Sequence, residues 1–160
     1  MPKIYTPHNV RLSDTHTDAQ YEVGTRARGA DGSEFLYVKA GSAITQYYWV
    51  AIDSTFAAAA HLTKSNARQA NAIGVANSAA IAASSHGWVQ VLGLTTAALA
   101  ALSADNAALY TSAVDGVLDD AASGSGTTFE KIEGAIGDAS QPNNQTSGAV
   151  MLTDYPHAVP

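Results

Sequence analysis

Residues 84–93 read Ser84-Ser85-His86-Gly87-Trp88-Val89-Gln90-Val91-Leu92-Gly93 (SSHGWVQVLG) and break into an alanine-rich run with one of only two tryptophans. From Trp88 to Leu92 the residues alternate. Side chains of a strand point to opposite faces in turn, so Trp88, Gln90 and Leu92 share one face and Val89 and Val91 the other. Gly87 and Gly93 bracket the run, and His86 is expected in the connection just before the strand. A strand here, rather than a continuing alanine helix, makes the chain mainly β.

Working outward, the same punctuation recurs. Tyr21–Arg28 and Ser33–Lys39 flank Gly29-Ala30-Asp31-Gly32, and Asp-Gly between alternating runs is a strong hairpin signal. Tyr47–Asp53 reads as a third strand, apolar on both faces and therefore central. Phe56–Leu62, with Asp53 or Ser54 as N-cap, predicts one short helix near residues 54–63. Ile73-Gly74-Val75-Ala76 reads as a strand, because an interior glycine costs a helix about 1 kcal/mol. Ala108–Ser112, Val117-Leu118, Glu130–Gly137 and Ala149–Thr153 complete the strands, with Asp115-Gly116 as a further hairpin turn. Ala72-Ile73-Gly74-Val75-Ala76 is echoed by Ala135-Ile136-Gly137-Asp138-Ala139, which suggests two similar hairpins. Many short strands between glycine turns predict a compact β-barrel or β-sandwich over residues 21–160. Residues 1–20 lack any period and are expected to form an extended N-terminal arm.

Composition narrows the function. Charged residues are 14% of the chain against about 25% in ordinary soluble domains. Ser, Thr, Asn and Gln must therefore cover much of the surface. The net charge is −6 and the eight Lys and Arg are scattered, so no basic patch exists for nucleic acid. There is no cysteine. No apolar run approaches the roughly 20 residues that span a bilayer, and the start lacks a secretory h-region. A soluble protein made in the cytoplasm, without membrane or nucleic-acid partner, is expected.

Chemistry is sparse. Ala122–Thr128 resembles a phosphate loop, but Thr127 stands where the motif needs Lys. His8, His16, His61, His86 and His157 show no short metal-ligand spacing. Asp115, Asp119 and Asp120 do not match a calcium loop and read as a solvated turn. No catalytic constellation, cofactor site or small-molecule substrate emerges, and the chain is expected not to be an enzyme. The aromatics Tyr47, Tyr48, Trp49 and Trp88 remain as core or subunit-interface candidates, with Tyr48 opposing Tyr47 and Trp49. Tyr47, Trp49 and Trp88 could alternatively stack on sugars in a carbohydrate-binding β-sandwich.

Taken in order, Phe35–Ile44, Val50–Asp53, Ile73–Ala76 and Gly87–Gly93 resemble the small β-rich structural proteins of tailed bacteriophages that serve as head decoration or cement proteins. The resemblance spans roughly Tyr21 to Leu152, and Gly87-Trp88-Val89-Gln90-Val91 is its most specific part. It implies a non-enzymatic virion protein on the outer surface of the icosahedral capsid, made in the host bacterial cytoplasm. Its partner would be the phage major capsid protein, and it would act as a homotrimer bracing neighbouring capsomers. A head-fibre or tail protein is the alternative within the virion. In that picture Ile4, Tyr5, Val10 and Leu12 anchor the arm to the capsid, and deleting residues to about Thr17 should leave the fold intact.

Overall fold

The computed structural model of the chain describes residues 10–100, 106–120, 123–124, 127–137 and 147–159. Its elements are β1 (Arg26–Arg28), β2 (Glu34–Lys39), β3 (Trp49–Ile52), β4 (Ala60–His61), α1 (Lys64–Ala67), β5 (Ala72–Val75), β6 (His86–Ala97), β7 (Ala108–Thr111), β8 (Leu118–Asp119), β9 (Ser123–Gly124), β10 (Thr127–Thr128), β11 (Lys131–Gly137) and β12 (Gly148–Val159). The protein is mainly β, an antiparallel sheet curled into a half-barrel. The strands run β4-β3-β5-β6-β12-β11-β7-β8, with β2 also on β6 and β1 on β2, while β9 and β10 pair separately.

Local chemistry explains the turns. Gly32 takes φ +85°, and the Asp31 carboxylate accepts hydrogen bonds from the Ser33 amide and hydroxyl at 3.1 and 2.6 Å. The first hairpin is thereby set in the register Arg26↔Leu36 and Arg28↔Glu34. Glu34, 4% exposed, lies between the guanidinium groups of Arg26 and Arg28.

The helix expected near residues 54–63 is not there. The Asp53 carboxylate instead accepts from the amides of Thr55 and Ala58, an Asx turn that competes with helix, and Phe56 takes φ 58°. Ala60–His61 then pairs with β3. The one α-helical turn among the described residues starts later, at Thr63, whose hydroxyl accepts from the Asn66 amide while the Asn66 side chain accepts from the Thr63 amide, a reciprocal cap. His86 is likewise not in a connection. It opens β6, opposite Lys39 and bridged to His16.

Two lobes repeat one design. The amides of Ala59 and Gly41 bond to Lys39 and Ala59 carbonyls, and those of Leu118 and Ala100 bond to Ala98 and Leu118 carbonyls, each residue displaced by 59 positions. Tyr47 (φ 68°) corresponds in the same way to Asn106 (φ 56°), and the parallel bridge Ala40↔Ala59 to Leu99↔Leu118. The Asp53 carboxylate caps the Thr55 amide as the Ser112 hydroxyl caps the Val114 amide. Beyond Gly134 the displacement becomes 61. The pair Val75↔Gln90 recurs as Ile136↔Met151, and Leu36↔Val89 as Thr95↔Val150. The longer displacement is taken up where the register shifts around Gly134, with β11 advancing from Ile132 to Ile136 while β7 moves only from Leu109 to Ala108, and Gly134 takes φ +80° as a bulge glycine does. The echo seen in the sequence is therefore a true repeat read two residues out of register, since Ala76 matches Gly137.

Packing follows the repeat. The first lobe's inner face joins Leu36, Val38, Val50, Ile52, Val89 and Val91 in one cluster. A second cluster joins Trp49, Ala51, Ile73 and Val75, on the first lobe's outer face, to Ala97, Leu99, Leu109, Leu118, Val150 and Leu152 of the second lobe. One lobe's outer face thus completes the other's core. Glycine permits the closest strand approach: a Cβ on Gly74 would sit 2.5 Å from the Gln90 carbonyl oxygen. Gly74→Ala is expected to cost about 1–3 kcal/mol, as overpacking does, read as a lower urea midpoint. An unchanged midpoint would mean that β5 and β6 separate without strain.

Candidate functional site

The largest aromatic assembly surrounds Trp88. Phe35, Tyr37, Trp88 and Ala27 form a buried cluster on the outer face of β2 and β6, and Val10, Leu12 and Tyr21 pack over it. Tyr37 is its hub: its ring lies 5.0 Å from Trp88, 5.2 Å edge-on from Tyr21, and stacks on His86 at 5.8 Å. The Tyr37 hydroxyl accepts from the Gln20 amide at 3.2 Å and pairs with His16 Nδ1 at 3.1 Å. Burial raises its pKa above the ordinary tyrosine value by disfavouring the phenolate. Trp88 Nε1 is buried with no hydrogen-bond partner among the described residues. This is an anchoring cluster, and His86, 8% exposed, is part of it.

The expected arm residues divide. Ile4 and Tyr5 lie outside the described residues. Val10 and Leu12 rest on the Trp88 cluster, and the His16 and His86 backbones exchange hydrogen bonds at 2.9 and 2.7 Å. A deletion to Thr17 would remove this cover, so the expectation that it leaves the fold intact is withdrawn.

The Tyr47–Trp49 run also departs from simple alternation. Tyr47 has φ 68° and is 37% exposed, whereas Trp49 is fully buried. The left-handed residue turns the chain just before β3, so the two do not share a face. With Trp88 2% exposed as well, neither tryptophan offers a surface on which a sugar could stack. Tyr48 lines an apolar pocket of about 460 Å³ with Leu99, Ala100, Val114, Val117 and Asp119. Asp115, Asp119 and Asp120 are part of no group of three or more His, Asp or Glu able to hold a metal ion among the described residues.

His61, packed against Tyr48 at 4.9 Å, accepts the Thr45 amide through Nε2 at 2.9 Å, which requires the neutral ring. Burial lowers its pKa below 6.5, with the Asp115 charge opposing. Two exposed apolar residues, Leu94 (53%) and Ile136 (41%), were not singled out in the sequence. The signal lay in their alternation, since Leu94 follows Trp88, Gln90 and Leu92 on one face of the strand.

The chain matches no protein-family model, and no curated protein matches it in sequence.

The His61 geometry carries a pH signature. Its folded-state pKa lies below the unfolded value, so this contribution to stability is fully present above pH 6.5 and is lost as pH falls through the lowered value. His61→Gln should flatten the fall in stability between about pH 7 and pH 5, measured by urea unfolding across that range. A profile parallel to wild type would assign the acid sensitivity to other groups.

Proposed function

We propose that this chain is a non-enzymatic structural protein of a tailed-bacteriophage virion, a decoration or cement protein on the outer surface of the capsid. The observation that carries this reading is the position of its most specific stretch. Gly87–Leu92 lies in β6, the strand that pairs with β2 in the first lobe and β12 in the second, so the residues of the resemblance are those around which the whole sheet is built. The rest of the molecule suits the role. The large aromatics Trp49, Trp88 and Tyr37 are spent on packing, and the surface is mostly small and uncharged.

The partner is the phage major capsid protein, and the working unit is a homotrimer. Several modest contacts from one closed ring add up, because each contact after the first is intramolecular, and ring closure prevents open-ended growth. With Val10 and Leu12 already seated on the domain, the capsid-facing part of the arm reduces to Ile4 and Tyr5.

Two measurements test this. The copy ratio to the major capsid protein in purified virions should approach one to one, whereas a handful of copies would favour the head-fibre or tail alternative. Deleting residues 1–9 should abolish binding to undecorated capsids in a co-sedimentation assay and leave the unfolding free energy, measured in urea, within about 0.5 kcal/mol of wild type, the scale of a neutral change. Full binding by the truncated protein would remove Ile4 and Tyr5 from the interface.

A further inference from the structure

Residues 10–20 lie over the outer face of β2 and β6 and are fastened there around His16. Val10 and Leu12 pack on the Phe35–Tyr37–Trp88 cluster, yet they and His16 are only half-buried, and the rest of the stretch is exposed. The His16 amide donates to the His86 carbonyl at 2.9 Å, and the His86 amide returns the bond at 2.7 Å. Between the side chains, His16 Nδ1 meets the Tyr37 hydroxyl at 3.1 Å.

The direction of that last bond follows from its surroundings. Tyr37 is fully buried, and its oxygen already accepts the Gln20 amide at 3.2 Å. Burial holds the phenol above its ordinary pKa, so the hydroxyl keeps its proton. A buried donor left unpaired is costly, and the acceptor for this one among the described residues is His16 Nδ1. An imidazole nitrogen accepts only when it carries no proton. The closed arrangement therefore requires a neutral His16 with its proton on Nε2. His86 differs: its Nδ1 faces the His16 carbonyl at 3.4 Å, which calls for a donor, and the ring supplies one whether neutral or protonated.

Each element packed here brings titratable or charged groups. β2 brings Tyr37 and Lys39, and β6 brings His86, which stands opposite Lys39 on the same face. The stretch itself brings Tyr21, its ring 6.3 Å from His16, and Arg11, Asp14, Asp18 and Glu22, all exposed. Arg26, Arg28 and Glu34 alternate to the other face of the first hairpin. A proton on either histidine thus adds positive charge on the face that holds Lys39, while the exposed carboxylates act through screening water. Closure also leaves one polar group unpaired. Trp88 Nε1, in the covered cluster, has no hydrogen-bond partner among the described residues, and admitting water there would relieve it.

We propose that residues 10–20 form a pH-sensitive latch over the Phe35–Tyr37–Trp88 face, closed while His16 is neutral and opened when His16 is protonated. Protonation turns Nδ1 from acceptor to donor, so ring and hydroxyl present a proton each to the other and the bond is lost. The closed form is therefore held at neutral pH and released as pH falls. This stands whether or not the chain sits on a capsid.

The experiment is NMR of the full-length protein between about pH 7.5 and pH 5, across which histidine takes its proton. At the upper end the His16 ring nitrogens should report the Nε2–H tautomer, and the His16, His86 and Gln20 amides should be protected from exchange. As His16 titrates, those amides should together lose protection by about tenfold or more beyond the intrinsic pH effect, the scale of one lost hydrogen bond. The Leu36 and Val89 amides, in the β2–β6 pairing, should keep theirs. His16→Asn, whose side-chain oxygen can stand near the Nδ1 position without taking a proton, should keep the His86 and Gln20 amides protected throughout. His61→Gln should open as wild type does, which separates the latch from the acid response of His61. An Nδ1–H tautomer at the upper end, protection independent of pH, acid opening retained in His16→Asn, or acid opening lost in His61→Gln would each overturn the proposal. Should His16→Asn be open already at the upper end, Tyr37→Phe replaces it. That variant removes the demand for a neutral ring, so the His16 and His86 amides should show no acid-dependent opening, and opening like that of wild type would overturn the latch.

Discussion

Trp49 holds the two lobes together. Its indole is fully buried in the cluster shared by both, its ring nitrogen donates to the Ala98 carbonyl, and its backbone amide donates to Gly116. A large ring with one polar edge suits such a joint, because the apolar body fills the gap between sheets while the N–H satisfies a buried carbonyl. The small residues around it, Ala97, Ala98 and Gly116, allow the second lobe to close over the ring. Alanine and glycine, which look like weak core formers in composition, act here as the socket for a tryptophan.

The repeat carries an energetic asymmetry. A stacked repeat buries its face against its neighbour, and terminal units must be capped or left to interact. The first lobe meets this twice, with the second lobe over Trp49 and Val75 and with the Val10–Ala27 stretch over Phe35, Tyr37 and Trp88. The second lobe has small or flexible residues in the same row, Ala108 for Trp49 and Met151 for Gln90, of which Ala108 is exposed and Met151 half-buried.

For a protein read as a capsid cement, these features belong together. The proposed capsid contact is confined to the residues before Val10, because Val10 and Leu12 pack on the domain itself. In the proposed role, several such modest contacts made by one assembly would add to firm retention.

The sequence alone determined the fold class, nine of the twelve described strands and the Gly32 and Gly116 turns, because period-two alternation and the positive φ of glycine act over a few residues; the two-residue strands β4, β9 and β10 are too short to show a period. It placed the helix wrongly, since Asp53 can cap a turn as well as a helix and pairing of Ala60–His61 with β3 decided between them. It made His86 a loop residue, since its partners His16 and Lys39 lie 70 and 47 positions away. It suggested a repeat but in the wrong register, because no local pattern reveals the register shift at Gly134. Partial burial of Val10 and Leu12, and exposure of Ile136 and Leu94, were decided only by tertiary structure. Whether an apolar side chain is core or surface depends on what another part of the chain lays over it, and that is a long-range fact.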